Sequence, residues 1–277
     1  MTHPLLKTFK IGFIGAGNMA QALIKGIIES KAMRPDQVMV SNRTPGKLLK
    51  LKEQFGVQTR EHNEQIVEEC EIVVLAMKPQ DLPNAVENMH SAFSENQIVI
   101  SLAAGINLKT LSKMIPEGRL VRLMPNTPSL IGRGVLGLLS NQKDSSVTEM
   151  MRDLFSSLGV VLDVETEDQF DALMISCSSG TGFVFEMMMY WQDWITEHGF
   201  STEQSKIMTI ETFVGASLLA AQSAGVDIEE LQQRVTSKKG VTAAGLNSMR
   251  ELEIERALRI SFEKAALRSQ EIARQAQ

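Results

Sequence analysis

Cysteine, clustered positive charge and long apolar runs are the features in which this sequence is poor. Its 277 residues include only 2 cysteines, Cys70 and Cys177, which form no disulfide framework, so we expect buried thiols in a reduced cytoplasm. The formal net charge of -5 argues against a nucleic-acid surface, because phosphate binding requires clustered lysine and arginine. No apolar run is long enough to cross a bilayer, and the N-terminus lacks the apolar core of a signal peptide, so we expect no membrane partner.

Residue patterns for metal or nucleophilic catalysis are also missing. The sequence has no Ser-His-Asp order, no HExxH motif and no Cys-His spacing that would hold zinc. We therefore predict no metal site. The composition, 43% hydrophobic and 22% charged, is that of an ordinary globular protein with one large or two medium domains.

A glycine-rich turn near the N-terminus is the most informative motif. Residues 10–20 read KIGFIGAGNMA, an extended segment that enters a turn and opens an apolar-periodic helix. Gly15, Gly17 and Ala20 fit the G-x-G-x-x-G/A pattern, in which backbone N–H groups at a helix N-terminus approach a dinucleotide diphosphate. The pattern alone also fits a plain strand-to-helix connection.

The turn after the second predicted strand, residues 37–41, indicates which dinucleotide is bound. NAD-binding sheets generally place an acid there to hold the ribose 2'-hydroxyl, whereas arginine holds a 2'-phosphate. This chain has Asn42 and Arg43 and no acid at that point. We therefore predict NADPH, with NADH possible. The alternative is that Arg43 is only a solvated turn cation.

Strands alternating with helices predict an α/β fold. Apolar runs at 72–77, 97–102 and 120–124 are typical of strands covered on both faces, and each ends in small or polar residues. Ligands of parallel sheets lie beyond the carboxyl ends of strands, so Ala76, Met77 and Lys78 should line a cofactor cleft. Further strands at 134–139 and 160–164 and a helix at 147–158 complete a Rossmann-type, doubly wound, mostly parallel sheet. Asn126, in a Pro-Asn-Thr-Pro turn, either serves that turn or receives the nicotinamide or the substrate.

From Asp168 onward, long amphipathic stretches replace the strands. We predict helices over 182–197, 201–224, 228–235 and 242–277, the last broken near 251–255. The domains are then an NADP-binding domain, 1–165, and an all-α dimerisation and substrate domain, 166–277. Residues 187–194, MMMYWQDW, make one helix apolar nearly all round, which predicts at least a homodimer.

The segment VTSKKGVTAAGL at 235–246 places glycine and hydroxyl residues before a helix. Backbone N–H groups of Gly240, Val241 and Thr242 could there bind an anion such as a carboxylate. The alternative is an ordinary N-cap, Thr242 or Ser237, with no ligand.

These motifs together resemble the pyrroline-5-carboxylate reductase family, and the resemblance runs nearly end to end. It is carried by residues 13–20, 42–43, 62–63, 74–80, 103–105, 124–128, 235–237 and 240–242. The resemblance implies NADPH-dependent reduction of the cyclic imine 1-pyrroline-5-carboxylate to L-proline, the last step of proline biosynthesis. It also implies a Rossmann domain and a helical domain that interlocks two subunits, often in a decamer of five dimers.

The resemblance assigns site residues by position. The diphosphate residues are Gly15, Gly17, Asn18, Met19 and Ala20. The other nucleotide residues are Asn42 and Arg43 at the 2'-phosphate, Asn63 at the adenosine, Ala76, Lys78 and Pro79 along the nucleotide, and Ala103 and Ala104 at the nicotinamide; we count Asn126 with them. The substrate residues are Ser237, Gly240, Val241 and Thr242, with N–H groups on the carboxylate and the Thr242 hydroxyl, the predicted catalytic group, at the ring nitrogen.

Two segments depart from the family pattern. Residues 178–183 read SSGTGF where GSGPAY is usual, and 238–242 read KKGVT where PGGTT or KGGTT is usual. Lys239, in place of glycine, either crowds the carboxylate or binds it more tightly. Two other functions therefore stay open: a reductase of a related cyclic imine acid, and a nucleotide-binding regulatory protein without turnover.

Overall fold

The computed structural model describes residues 3–141 and 145–275. The chain forms two compact units, one of Met1–Ser179 with Ala265–Gln277 and one of Gly180–Lys264. This division follows packing, whereas the boundary between residues 165 and 166 follows sequence pattern and stays a prediction.

Within the described residues, an eight-stranded sheet organises the first unit. Its strands are β1 (Ile11–Ile14), β2 (Val38–Ser41), β3 (Gln58–Arg60), β4 (Ile72–Leu75), β5 (Ile98–Ser101), β6 (Arg119–Met124), β7 (Gly134–Ser140) and β8 (Gly159–Asp163). The spatial order is β3-β2-β1-β4-β5-β6-β7-β8. Strands β1 to β6 are parallel, β7 is antiparallel to β6, and β8 is parallel to β7. The predicted doubly wound, mostly parallel sheet is confirmed.

Helices cover both faces of this sheet. They are α1 (Asn18–Glu29), α2 (Pro45–Phe55), α3 (Asn63–Glu69), α4 (Leu82–Met89), α5 (Leu108–Met114), α6 (Ser145–Phe155) and α7 (Glu167–Leu173). Alternate strand residues enter two separate cores: Phe13 and Val74 pack with α1 and α6, while Ile14 and Leu75 pack with α3 and α4. Burial on both faces explains the continuous apolar runs, and each such side chain contributes about 1.5–3 kcal/mol.

Two local predictions differ from the structure. The third strand begins at Gln58 rather than at residue 56, because Gly56 adopts a left-handed conformation (φ 71°) and ends α2. Helix α7 lies where no helix was predicted. Its N-cap is Thr166, whose hydroxyl accepts from the Gln169 N–H, and Glu167 and Asp168 favour the first turn. A π-helix, Met174–Ser179, follows α7.

The second unit is helical, as predicted. Its elements are α8 (Gly180–Glu197), α9 (Thr202–Gln222), α10 (Ile228–Arg234) and α11 (Val241–Glu251), after which α12 (Ile254–Gln275) begins. Ser201 and Gln204 start α9 with a reciprocal capping box. The break predicted near 251–255 falls at Leu252 and Glu253, where Glu253 has a φ of 51°.

Large apolar side chains of the second unit are exposed in the single chain. Phe185, Tyr190 and Trp194 are 59%, 58% and 62% exposed. The helical stretch Glu167–Glu197, 31 residues, is long and apolar enough to cross a membrane by length and composition, a test that apolar helices packed against protein also meet. An exposed apolar surface of this kind is typical of an interaction site.

Candidate cofactor and substrate sites

The predicted cofactor residues of the first unit follow the carboxyl ends of parallel strands. Gly15 follows β1, Asn42 follows β2, Ala76 follows β4, Ala103 follows β5 and Asn126 follows β6. All therefore lie along one edge of the sheet. Strand order reverses between β1 and β4, and open α/β sheets bind their ligands in the crevice at that point.

The glycine turn brings the ends of β1 and β4 into backbone contact. Gly15 has a φ of +109°, and a Cβ added there would lie 2.6 Å from the Ala76 carbonyl oxygen. Its N–H donates to the Ser41 carbonyl at 2.8 Å, so the turn is also fixed to β2. Only glycine fits this position without strain.

Gly17, by contrast, borders open space. A Cβ added at Gly17 would meet no described atom within 4 Å. Gly17 is also the N-cap of α1 and offers no side-chain acceptor, so the N–H groups of Asn18, Met19 and Ala20 are left for a ligand. An uncapped helix N-terminus beside open space fits a diphosphate.

Asn42 holds the turn after β2, Asn63 of α3 binds the end of that strand, and Arg43 in the turn is exposed. The Asn42 Oδ1 accepts from the Ala16 N–H at 3.1 Å, and its Nδ2 donates to the Thr44 carbonyl at 3.0 Å. Asn63, the first residue of α3, accepts from the Ser41 Oγ at 2.8 Å. Arg43 is exposed beside these bonds. Its contact with a 2'-phosphate stays a prediction.

Small residues follow β4 and β5. The Ala76 N–H donates to the Ile14 carbonyl at 2.9 Å, and Ala76 and Pro79 are half-buried while Lys78 is exposed. The Ala103 N–H donates to the Ser101 Oγ at 3.3 Å. Ala103 is buried and Ala104 is half-buried, so this loop can offer backbone and methyl surface rather than polar side chains.

Asn126 uses its side chain to join three elements. It is 6% exposed, its Nδ2 donates to the Cys177 carbonyl in the π-helix at 3.1 Å, and its Oδ1 accepts from the Val135 N–H at 2.9 Å. The Ser178 hydroxyl adds a bond to the Pro125 carbonyl at 3.2 Å. These bonds fasten β6 to β7 and to the π-helix; a contact of Asn126 with cofactor stays a prediction.

The predicted substrate loop lies in the second unit, before α11. The N-cap of α11 is Gly240, not Thr242 or Ser237, and no side chain caps it. The Gly240 N–H donates to the Ser237 carbonyl at 3.0 Å. Val241 and Thr242 are exposed in the first turn. The Gly240 N–H is thus engaged within the loop, so among the three predicted donors the N–H groups of Val241 and Thr242, in the first turn of α11, are left for a carboxylate.

Lys239, where the family usually has glycine, has a left-handed backbone with a φ of 58°. A side chain in this conformation costs about 1–2 kcal/mol relative to glycine. The substitution thus keeps the glycine-type turn and adds an exposed ammonium to it.

An ion pair between a buried arginine and a partly exposed glutamate, in the first unit, was not indicated by any sequence motif. Arg122, on β6, is 2% exposed and pairs with Glu167 of α7. Burial lowers the pKa of Arg122, which the Glu167 and Asp171 carboxylates partly offset. Burial also raises the pKa of the Asp171 carboxyl, against the effect of Arg122. The one hint in the sequence is an arginine inside an apolar strand.

Cys70 is a buried thiol, as predicted, whereas Cys177 is half-buried. Burial raises the pKa of Cys70 to about 12, and the neighbouring Glu71 and Glu69 carboxylates add to this effect. Cys70 is therefore a packing residue and not a nucleophile.

A glycine turn at the switch point of a doubly wound sheet, followed by a helical unit, defines a class: two-domain oxidoreductases that use a nicotinamide dinucleotide. Two protein-family models match this chain, and both agree with this class. The model described as NADP oxidoreductase, coenzyme F420-dependent, matches residues 10–105, and the model for pyrroline-5-carboxylate reductase dimerisation matches residues 167–272.

Individual relatives narrow the class. The chain is 33% identical over 272 residues to a pyrroline-5-carboxylate reductase of Pseudomonas aeruginosa, covering 98% of this chain and 99% of the relative. The structure of a pyrroline-5-carboxylate reductase from Coxiella burnetii has a TM-score of 0.86 at 30% identity and covers 98% and 99% of the two chains. A Plasmodium falciparum pyrroline carboxylate reductase with NADP bound has a TM-score of 0.84 at 24% identity over 96% and 99%, and shows the shared fold. The chain belongs to the pyrroline-5-carboxylate reductase family.

Proposed function

We propose that this protein reduces 1-pyrroline-5-carboxylate to L-proline with NADPH, as the last step of proline biosynthesis in the cytoplasm. The observation that carries the proposal is the uncapped α1 N-terminus beside open space at Gly17, at the β1/β4 switch point of a family member. An anionic dinucleotide matches such a site in both charge and backbone geometry.

In this proposal residues 1–165 hold the nucleotide. Gly15, Gly17, Asn18, Met19 and Ala20 surround the diphosphate. The remaining nucleotide residues are Asn42 and Arg43 at the 2'-phosphate, Asn63 at the adenosine, Ala76, Lys78 and Pro79 along the nucleotide, and Ala103, Ala104 and Asn126 toward the nicotinamide. The exposure of Arg43 and the absence of an acid after β2 favour NADPH over NADH.

Residues 166–277 hold the substrate in this proposal. Ser237 and the backbone N–H groups of Val241 and Thr242 bind its carboxylate, while Gly240 shapes the loop through its own N–H on the Ser237 carbonyl. The exposed Thr242 hydroxyl contacts the ring nitrogen. NADPH, when bound, supplies the hydride from nicotinamide C4. A protonated cyclic imine is already electrophilic, so the protein needs chiefly to orient the ring and stabilise the developing amine, and no strong acid is required.

Thr242→Ala tests the assigned catalytic role. A hydrogen bond to a charged centre contributes about 1–3 kcal/mol, so its loss should decrease kcat about 5- to 150-fold. NADPH affinity should stay unchanged, since Thr242 contacts only the substrate. Thr236→Ala is the matched control, because that hydroxyl, in the loop after α10, is already bonded to the Gln232 carbonyl. Unchanged turnover in Thr242→Ala would remove Thr242 from the mechanism.

NADPH oxidation with 1-pyrroline-5-carboxylate, measured beside piperideine-6-carboxylate, tests the substrate. Lys239 in place of glycine is the observation that keeps the second substrate in view. A higher kcat/KM with the six-membered ring would reassign the protein to a related imine acid. NADPH binding without turnover on either ring would favour a regulatory role. Complementation of a proline auxotroph tests the activity in a cell.

We also propose a homodimer, with a decamer of five dimers as the larger assembly. The exposed Phe185, Tyr190 and Trp194 lie within the segment that matches the dimerisation model, which supports covering the stretch Glu167–Glu197 with a second subunit rather than with lipid. Light scattering at micromolar concentration measures the assembly, and a monomeric mass would contradict the proposal.

A further inference from the structure

We propose that Arg122, acting through Glu167, is a positioning residue for the loop that holds the nicotinamide. The loop in question, the 102–107 loop, joins β5 to α5 and includes Ala103 and Ala104. The proposal rests on the proposed function, because it takes these two alanines as nicotinamide residues. It assigns no contact with cofactor or substrate to Arg122 itself.

Glu167 connects Arg122 to the end of the 102–107 loop. One carboxylate oxygen of Glu167 accepts from the Leu108 N–H at 2.7 Å, at the first residue of α5. The other oxygen pairs with the Arg122 Nη1. A single carboxylate thus bridges a buried strand of the sheet and the helix that the loop enters.

The start of the 102–107 loop is fixed independently. The Leu102 N–H donates to the Leu75 carbonyl at 3.1 Å, and the Ala103 N–H donates to the Ser101 Oγ at 3.3 Å. Ser101 lies directly beside Arg122 in the register of β5 and β6. Both ends of the loop are therefore held to adjacent residues of the sheet, one by the backbone and Ser101, the other by the ion pair.

The surroundings of Arg122 combine one favourable aromatic contact with an incomplete set of hydrogen bonds. The Arg122 guanidinium carbon lies 4.0 Å from the centre of the Phe170 ring, and among the described residues its Nε and Nη2 have no hydrogen-bond partner. A buried charge with so few compensating bonds often contributes less to stability than apolar side chains of similar volume would. What apolar side chains would not supply is an acceptor for the Leu108 N–H.

Hydride transfer is sensitive to any displacement of the 102–107 loop, because this loop is taken to hold the nicotinamide. Because the reacting carbons must meet at a near-attack distance, a shift of about 1 Å can lower the rate by about a hundredfold. Releasing the C-terminal end of the 102–107 loop should therefore lower kcat more than it weakens NADPH binding, most of which comes from the diphosphate and 2'-phosphate.

Two variants and a control test the proposal. Glu167→Gln keeps one acceptor and removes the charge, whereas the double variant Arg122→Met/Glu167→Leu removes the pair without leaving a buried charge. The control is Arg152→Met, which breaks the Arg152–Asp163 pair between α6 and β8. Each protein is measured for thermal unfolding, NADPH affinity, kcat, the kinetic isotope effect with 4-deuterated NADPH, and amide hydrogen exchange of a peptide spanning residues 102–110.

We expect the double variant to exchange faster across residues 102–108, with and without NADPH, and Glu167→Gln to show a smaller increase because its amide oxygen can still accept from the Leu108 N–H. The kcat of both variants should fall about ten- to hundredfold, and their NADPH affinity should change less than kcat. Their kinetic isotope effect with 4-deuterated NADPH should be larger than that of wild type, because hydride transfer becomes slower relative to the other steps. The double variant should unfold near the wild-type temperature and still turn over slowly, which a purely structural role would not produce. The control should match wild type in exchange and in kcat.

Wild-type kcat in a stably folded double variant, or unchanged exchange at 102–108 in that variant, would overturn the proposal. The hydrogen-exchange and NADPH-affinity measurements need no substrate. If wild-type protein turned over no imine, the proposed function would fail, while these two measurements would still decide whether the ion pair holds the loop.

Discussion

Gly15→Ala and Gly17→Ala form a matched pair that tests whether a diphosphate lies at the turn after β1. Both add one methyl group to the same turn, but the structure gives the methyl groups opposite surroundings. At Gly15 the new carbon would lie 2.6 Å from the Ala76 carbonyl oxygen, on a backbone with a φ of +109°. At Gly17 it would meet no described atom within 4 Å, on a backbone with a φ of -70°.

The two substitutions should therefore affect stability differently. Backbone strain at Gly15 costs about 1–3 kcal/mol, before the contact with Ala76 is counted. For a domain of this size that corresponds to a decrease in Tm of about 2–12 °C. Gly17→Ala has two small and opposite effects on the free energy of unfolding. Alanine is a poorer N-cap residue than glycine, but it makes the unfolded chain less flexible, which stabilises the fold by about 0.4–1 kcal/mol. The Tm of this variant should therefore stay near that of wild type.

Binding of NADPH should fall in both variants. Hydrogen bonds to a charged group contribute about 1.5–3 kcal/mol each, so displacing the diphosphate from one N–H lowers the affinity about 10- to 150-fold. Fluorescence titration with NADPH measures the affinity. Thermal unfolding gives a second readout, since NADPH at about 100 times Kd should stabilise wild type by about 2.7 kcal/mol and Gly17→Ala by much less. Wild-type NADPH affinity in Gly17→Ala would refute a diphosphate at this turn.

Three further predictions concern single side chains. Arg43→Ala should weaken NADPH more than NADH, because only NADPH carries the 2'-phosphate; equal losses in titrations with both would exclude this role. Lys239→Gly relieves the left-handed backbone strain and should raise Tm slightly, whereas Lys239→Ala keeps this strain. Both variants remove the ammonium group: a higher substrate KM in both would show that the ammonium binds the substrate carboxylate, and a lower KM in both would show that it crowds the carboxylate. Burial raises the pKa of Cys70 from 9.0 to about 12, so the neutral thiol stabilises the fold below pH 9.0 and this contribution is lost as the pH rises toward 12. A Cys177→Ser variant should accordingly react with maleimide at about pH 8 only when unfolded, and rapid labelling of the folded variant would contradict this.

Elements with a strong local pattern were predictable from the sequence. The apolar run at 72–77 became β4, and the glycine turn after β1 opens α1 at Asn18, because strand burial and turn conformation depend on adjacent residues. The third strand was misplaced by two residues, since Gly56 acts on the helix before it and not on the strand. Helix α7 was missed because Thr166 as its N-cap does not differ in sequence from a loop threonine.

The candidate sites divide in the same way. Gly15, Arg43 and the 240–242 segment are identifiable from residue types at fixed spacing. The partners of Asn126 are not, because Val135 and Cys177 approach it only after β7 and the π-helix have packed. Nor does anything near residue 122 in the chain indicate Glu167, which lies 45 residues away.

The sequence alone determined the class of sheet, the use of a nicotinamide dinucleotide, the helical second half and the family, because periodicity, turn chemistry and short motifs are properties of neighbouring residues. Only the tertiary structure decided that Gly15 meets Ala76 and that Gly17 borders open space. It also decided that Lys239 has a left-handed backbone, and that Arg122 reaches the end of the 102–107 loop through Glu167. These are contacts and backbone angles set by packing between segments far apart in the chain, and packing depends on the whole fold at once.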